Sequence, residues 1–276
     1  MQTEDIAEAV QRALAEDLGP AGDVTTLATV PLDAVATARF VARQPGVVAG
    51  LGAAAAAFEA VGPGQVQFEQ AIEDGTSVAA GDVLATVQGP LRVVLTAERT
   101  ALNFLCHLSG VATLTRRWVD AVDGTDARIR DTRKTMPGLR ALEKYAVVCG
   151  GGVNHRMSLS DAALVKDNHV VAAGGVVNAF ERVRADYPGL ELEIEVDTVA
   201  QAREVIDAGA DLVLLDNMAP DDMREVVAYS AGRAKLEASG GLTLDTARAV
   251  AETGVDYFSI GALTHSAPAL DIGLDL

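Results

Sequence analysis

The segment LEIEVDTVAQAREVIDAGADLVLLD, residues 192–216, contains one complete strand–helix–strand unit. Both of its ends are short apolar runs that finish in an acidic residue, and the residues between them carry apolar side chains at helical spacing. Such a unit is the repeating element of parallel α/β folds. We therefore expect this part of the chain to form a parallel sheet covered by helices.

The same alternation runs from about residue 124 to residue 262. The predicted strands are ARIRD, AALVKD, LEIEVD, LVLLD, AKLEAS and YFSIGA, and the helical segments between them are LRALEKYAVVC, GVVNAFERVRAD, TVAQAREVIDAG, DDMREVVAYSA and LDTARAVAETG. This number of units favours an incomplete (β/α) barrel over an open doubly wound sheet.

The residues before the repeat predict a smaller α+β domain. Short β-type runs at 36–43, 65–72, 83–89 and 91–95 alternate with glycine and proline turns around an alanine-rich helix at 52–60. An amphipathic helix ends before Gly19, and we expect Thr96 to cap a long helix that links the two domains.

The composition limits the classes of partner and compartment. With 22 Lys and Arg against 39 Asp and Glu, the net charge of −17 repels nucleic acid and anionic membranes. No apolar run is long enough to span a membrane, and the start MQTEDIAEAV is acidic where a signal peptide would be basic. The two cysteines, Cys106 and Cys149, have no CxxC partner. We expect a cytoplasmic protein with no nucleic-acid or membrane partner.

Almost every predicted strand of the repeat finishes in polar residues. They are Asp131 to Lys134, Lys166 with Asp167, Glu195 with Asp197, Asp216 with Asn217, Glu237 with Ser239, and Gly261. Because ligand sites of βα barrels form at the carboxyl ends of the strands, we expect these residues to converge on one mouth.

The charges in that set are segregated along the chain. Residues 128–169 hold eight Lys or Arg against four acids, which indicates an anionic ligand with carboxylates or phosphates. Glu195 and Asp216 follow on adjacent strands and suit Mg²⁺ or a cationic sugar centre. For Glu191 and Glu193, an exposed strand face with ion pairs is an equally open alternative. Glycines after the last two strands are typical of a phosphate site.

These residues carry a family resemblance. The block DTRKTMPGLRALEKYAVVCGGGVNHRMSLSDAALVKDNH at 131–169 resembles the central part of quinolinate phosphoribosyltransferases, and the similarity continues through GDVTT, ERTALNFLCHLSG, EIEVDT, LLDNM, EASGGL and IGALTHSAPALDIGLDL. The resemblance implies an N-terminal α+β sandwich over 1–107, joined by the tail 266–276, and an incomplete barrel over 108–265. It also implies a homodimer whose active site includes a residue of the neighbouring subunit.

The resemblance further implies a role for each site residue. The quinolinate-binding group is Arg133, His155, Arg156 and Lys166, with Arg99 reaching in from the partner chain. Lys134, Glu195 and Asp216 are expected to be catalytic, with the two carboxylates near Mg²⁺, and Ser239, Gly240 and Gly261 are expected to hold the 5′-phosphate. The expected reaction converts quinolinate and phosphoribosyl pyrophosphate to nicotinate mononucleotide, pyrophosphate and CO2, a step of NAD biosynthesis.

Other interpretations of the same residues stay open. A related phosphoribosyltransferase could act on nicotinate or another pyridine acid, although that substrate needs fewer basic groups. A barrel with Lys134 or Lys166 at a strand end could be a Schiff-base aldolase. The segment 75–89 resembles the turn of a biotinyl or lipoyl carrier, yet it lacks the modifiable lysine and is interpreted as structural. A non-catalytic nucleotide-binding regulator would not need the acidic, basic and phosphate-binding residues together.

Overall fold

Residues 3–276 are described by the computed structural model, and they divide into two compact units. The first unit combines the residues up to Arg116 with Thr135–Gly151 and Ala262–Leu276. The second unit contains Arg117–Lys134 and Gly152–Gly261. Each unit is therefore assembled from separate segments of the chain.

The first unit contains an antiparallel sheet with helices. Its helices are α1 Thr3–Leu18, α2 Val24–Thr29, α3 Leu51–Val61, the greater part of α4 Leu91–Ala121, α5 Arg140–Cys149 and a short helix at Ala262–His265. Its strands are β1 Val35–Ala42, β2 Gly46–Val47, β3 Gln67–Gln70, β4 Ser77–Val78, β5 Val83–Pro90 and a final strand at Ile272–Asp275. The final strand, β1, β5 and β3 form one sheet in that order, and β2 pairs with β4.

Three phenylalanines form the aromatic part of this unit's core. The ring centroids of Phe40, Phe58 and Phe68 lie 5.9 to 6.0 Å apart, a separation at which tilted and edge-to-face rings attract. Phe40 and Phe58 are fully buried. The other buried side chains of α3 are mostly those of alanine, so Phe58 is the large side chain by which this helix packs against Phe40.

The second unit is the incomplete barrel that the repeat predicts. Its strands are β6 Arg128–Arg130, β7 Ala163–Val165, β8 Leu192–Val196, β9 Leu212–Asp216, β10 Lys235–Ser239 and β11 Tyr257–Ser259. All are parallel, in the order β6-β11-β10-β9-β8-β7, so the last strand pairs with the first. No ladder joins β6 to β7 among the described residues, and the sheet is open there.

Helices α6 Asp167–Ala173, α7 Val176–Asp186, α8 Val199–Asp207, α9 Pro220–Ser230 and α10 Leu244–Ala251 connect these strands. Threonine residues cap two of these helices at their N-termini. The hydroxyl of Thr198 accepts a hydrogen bond from the N–H of Gln201 in α8, and that of Thr243 accepts one from the N–H of Thr246 in α10. Proline at the first position of α9 starts that helix without losing a hydrogen bond. Within residues 3–276, no helix combines the length and apolar character that crossing a membrane requires.

One predicted element differs from expectation. The strand predicted at 91–95 is wrong, because α4 begins at Leu91 and Thr96 lies inside it. Val93 and Val94 favour strands by propensity, but both are buried on the helix, and burial outweighs a propensity difference of under about 1 kcal/mol. Residues 135–151 belong to the first compact unit. The predicted domain limits at 107 and 265 stay a prediction.

Candidate active site

The carboxyl ends of the barrel strands carry the predicted polar residues at a common level. Parallel pairing places Ser239 beside Asp216 and Glu195 beside Leu214. Because side chains alternate along a strand, Glu193 and Glu195 point to the same face of β8, with Glu193 one step deeper. The ends of β8, β9 and β10 therefore form one edge of the barrel mouth.

A cavity of about 310 Å³ opens among these strand ends. This volume is at the small end of the range for ligand pockets. The predicted residues that line it are Arg133, Lys134, His155, Arg156, Lys166 and Ser239. The structure thus gathers residues from four separated parts of the sequence around one space.

Two guanidinium groups give this cavity its positive character. Burial and then the like charge of Arg133 lower the pKa of Arg156. Arg156 Nη1 donates to the Ala162 carbonyl at 2.7 Å, which fixes its head group. Arg133 Nε is buried and has no hydrogen-bond partner within residues 3–276. Two adjacent cations with an unused buried donor are suited to an anion with more than one negative group.

Glu195 and Asp216 supply the acidic side of the mouth. Lys166 Nζ donates to Glu195 Oε2, and Asn217 Nδ2 donates to Asp216 Oδ2 at 2.7 Å. Each carboxylate therefore keeps an oxygen that these contacts do not use. Hard oxygen donors from adjacent strands fit Mg²⁺, which takes one or two carboxylates together with water and substrate phosphates.

Gly240, directly after β10, lies against Asn217. A Cβ atom at Gly240 would come within 2.2 Å of Asn217 Oδ1, and the residue has a φ of +82°. Asn217 itself has a φ of +54°, which asparagine tolerates better than most residues. Only glycine fits at position 240, so no side chain covers the main chain at the end of β10.

Like Glu195, Asp216 and Gly240, the two remaining predicted residues, Gly261 and Arg99, do not line the cavity. Gly261 follows β11 by two residues and closes the second unit. Arg99 belongs to the first unit, on α4, where it lines a groove with Asp17 and Asp23. Its predicted contact with a partner chain's site stays a prediction.

A buried charged cluster lies below the cavity, and it includes Glu237, which was expected at the mouth with Ser239 but does not line the cavity. Glu237 is completely buried, and Glu193 is only 2% exposed, so of the two alternatives left open for Glu193 the exposed strand face does not hold. Arg130 Nη1 donates to Glu237 Oε2 at 2.6 Å, and His155 Nε2 contacts Glu193 Oε2 at 2.8 Å. Ser259 donates to Glu237. The signal in the sequence for their burial was the alternation of polar and apolar residues on β8 and β10.

Burial changes the acidity of this pair. It raises the pKa of Glu193 to about 7, against the opposing effect of the Arg130 charge. Burial and then the charge of Glu193 raise the pKa of Glu237. His155, Glu193 and Glu237 offer donor atoms within 4.8 Å of one another, a spacing that a metal ion could bridge. Arg130 already supplies a positive charge there.

A larger cavity of about 690 Å³ lies at the opposite ends of the strands, beside Leu192, Leu212 and Tyr257. We place the active site in the smaller cavity, because catalytic groups of βα barrels lie at the carboxyl ends of the strands. The three cations that line the larger cavity are also already engaged: Arg130 binds Glu237, Lys235 binds Asp256, and Arg184 binds the Ala208 carbonyl.

Known proteins match this chain over almost its whole length. Residues 23–109 match the N-terminal domain, and residues 111–275 the C-terminal domain, of the family model for quinolinate phosphoribosyl transferase. The carboxylating nicotinate-nucleotide pyrophosphorylase of Mycobacterium leprae is 51% identical, covering 98% of this chain and 96% of the relative. The decarboxylating quinolinate phosphoribosyltransferase 1b of Nicotiana tabacum is 41% identical, covering 99% and 83%.

Solved structures give the same result. The crystal structure of NadC from Streptococcus pyogenes has a TM-score of 0.96 at 38% identity, covering all of this chain and 97% of that one. The nicotinate-nucleotide pyrophosphorylase of Francisella tularensis has a TM-score of 0.95 at 35% identity and covers the two chains to 100% and 97%. With both family domains matched in order and a cationic cavity at the barrel mouth, this chain belongs to the quinolinate phosphoribosyltransferase family.

Proposed function

We propose that this chain joins quinolinate to phosphoribosyl pyrophosphate and releases nicotinate mononucleotide, pyrophosphate and CO2. The single observation that carries the proposal is the pair of guanidinium groups, Arg133 and Arg156, in one small cavity beside the carboxylates of the strand ends. A dicarboxylate neutralises two such cations, whereas a monocarboxylate leaves one of them uncompensated. This favours quinolinate over nicotinate as the substrate.

The first step forms the bond between the pyridine nitrogen and C1 of the sugar and breaks the bond from C1 to pyrophosphate. Positive charge develops on the sugar as pyrophosphate leaves, and Glu195 and Asp216 stabilise it electrostatically. Lys134 neutralises the departing phosphates. Glu195 and Asp216 would hold Mg²⁺, which when bound would supply further positive charge for the leaving pyrophosphate. Ser239, Gly240 and Gly261 hold the 5′-phosphate.

The second step breaks the bond between the ring and the carboxylate next to the nitrogen. As CO2 leaves, the electron pair of the broken bond stays on the ring carbon, where the adjacent positively charged nitrogen stabilises it, and this carbon then takes a proton from water. No separate cofactor is needed for this decarboxylation. Arg133, His155, Arg156 and Lys166 orient the two carboxylates so that the correct one lies next to the reacting nitrogen.

A Schiff-base aldolase is less consistent with the site. Lys166 is in an ion pair with Glu195, whereas a lysine that forms a Schiff base is typically desolvated or beside another cation. The segment 75–89 contributes β4 and β5 to the first unit, as expected of a structural segment rather than a carrier turn.

The decisive experiment supplies phosphoribosyl pyrophosphate and Mg²⁺ with either quinolinate or nicotinate and follows nicotinate mononucleotide and CO2. We expect product and CO2 from quinolinate alone. Arg156→Ala should lose this activity, while Arg203→Ala should keep it, because Arg203 pairs with Glu225 on the surface. Product from nicotinate alone would overturn the substrate and the decarboxylation.

We also propose a cytoplasmic homodimer in which Arg99 completes the site of the partner chain. Mixing two inactive variants tests this. Arg99→Ala and Arg133→Ala chains, unfolded and refolded together, should recover roughly a quarter of the wild-type activity, because each hybrid dimer contains one intact site. Recovery of no activity from a mixture that contains hybrid dimers would contradict the shared site.

A further inference from the structure

The cluster below the cavity is unusual for the interior of a barrel, which is normally filled by branched apolar side chains. Here Arg130, His155, Glu193 and Glu237 are each about nine-tenths buried or more. None of these groups except His155 lines the cavity at the mouth. The cluster therefore lies one layer below the groups that meet a substrate.

Stability is a weak reason for such a cluster. Moving charges out of water costs several kcal/mol per ion, and buried ion pairs are often no more stable than apolar residues of the same volume. What such a network does provide is fixed geometry. A misplacement of about 1 Å in a catalytic or binding group can cost roughly 100-fold in rate.

The geometry that this network fixes is that of His155. Its Nε2 lies 2.8 Å from Glu193 Oε2 and 3.5 Å from Glu237 Oε1. Its main-chain N–H donates to Asp131 Oδ1 at 2.9 Å, and its Nδ1 accepts the N–H of Arg156 at 2.7 Å. The imidazole and the start of Arg156 are thus held from several sides.

The two carboxylates are themselves anchored. Glu237 receives Arg130 on one oxygen and Ser259 on the other, so its position is set by β6 and β11. The position of Glu193 is set by β8, on which it lies two residues before Glu195. The connection from the barrel wall to the cavity runs through His155, whose neighbour Arg156 is one of the two guanidinium groups there.

We propose that Glu193 and Glu237 are positioning residues for quinolinate recognition, which act by holding His155 and Arg156 at the wall of the cavity. This inference rests on the proposed function and deepens it. It separates quinolinate binding, which depends on the buried pair, from binding of phosphoribosyl pyrophosphate, which depends on the strand ends at Asp216 and Ser239.

The test uses the isosteric variants Glu193→Gln and Glu237→Gln in the full chain, with Glu191→Gln as the matched control. Glu191 also approaches Arg130, at 4.0 Å, but its side chain is 63% exposed, unlike those of Glu193 and Glu237. We expect each of the two buried variants to raise the KM and the Kd for quinolinate by about 10- to 100-fold. In both variants the KM for phosphoribosyl pyrophosphate should stay within about two-fold of the wild-type value. The control variant should leave the KM values of both substrates unchanged.

A purely structural role would change both KM values together or lower the thermal midpoint without a selective effect. Either of these two results would overturn the inference. Unchanged quinolinate affinity in both variants would also overturn it, and so would failure of both variants to fold. If only one variant folds, its quinolinate KM decides. Wild-type protein that makes no product from quinolinate would instead contradict the proposed function, since that measurement involves neither buried carboxylate variant.

Discussion

Substitution of Gly240 by alanine tests the close packing at the end of β10. A residue other than glycine at a φ of +82° costs about 1–2 kcal/mol. The new Cβ would also lie 2.2 Å from Asn217 Oδ1 and 2.9 Å from the Asn217 nitrogen, so the main chain must shift, at a further cost of about 1–3 kcal/mol. We expect the free energy of unfolding to fall by about 2–5 kcal/mol.

Gly241→Ala is the matched control, because it has the same kind of backbone strain without the close contact. Its φ is +59°, and the nearest atom to an added Cβ is Asn217 Oδ1 at 3.9 Å. Urea unfolding of both variants and steady-state kinetics would give the comparison. We expect only Gly240→Ala to raise the KM for phosphoribosyl pyrophosphate strongly. Equal urea midpoints for the two variants would refute the reasoning from the Asn217 contact.

Three further results are expected. Arg133→Ala should raise the KM for quinolinate by about 100-fold or more, because a buried carboxylate loses charge-assisted hydrogen bonds; unchanged kinetics would remove Arg133 from the site. Glu195→Gln and Asp216→Asn should each lower kcat by about 100-fold with little change in quinolinate binding, measured by calorimetry; unaltered kcat would contradict their role at the sugar. Asp23→Ala should cost about 1 kcal/mol at pH 7, because Asp23 caps α2. Hydrogen bonds from Thr26 lower the pKa of Asp23 below 3.8, so this stabilisation should be present above that pH and disappear as the pH falls through the lowered pKa, as urea unfolding would show.

The barrel was predictable from the sequence because its period is local. Each strand–helix unit carries its own apolar pattern, and LEIEVD and LVLLD became β8 and β9 almost residue for residue. The polar residues at the strand ends were equally visible. Their convergence follows from the topology of parallel strands, so Arg133, Lys166 and Ser239 could be placed together without coordinates.

Other features depend on contacts that a local pattern does not contain. The apolar face of residues 140–149 predicts a helix, but the pattern does not determine to which of the two compact units this helix belongs. The depth of Glu193 depends on Glu237 and Arg130, which come from other strands. Asn217 has no chemical signal beyond its type, and its role beside Gly240 arises only where β9 and β10 end together.

The interleaving of the two units has a consequence for how the protein is made. β1 lies between β5 and the strand Ile272–Asp275, with Arg39 opposite Asp275. During synthesis on the ribosome, β1 therefore exposes one edge until more than two hundred further residues have been translated. The N-terminal sheet therefore cannot be completed before the barrel strands have been synthesised, because its last strand follows them in the sequence. Nascent chains halted before residue 272 should need protection by a chaperone, although most of their barrel strands already exist.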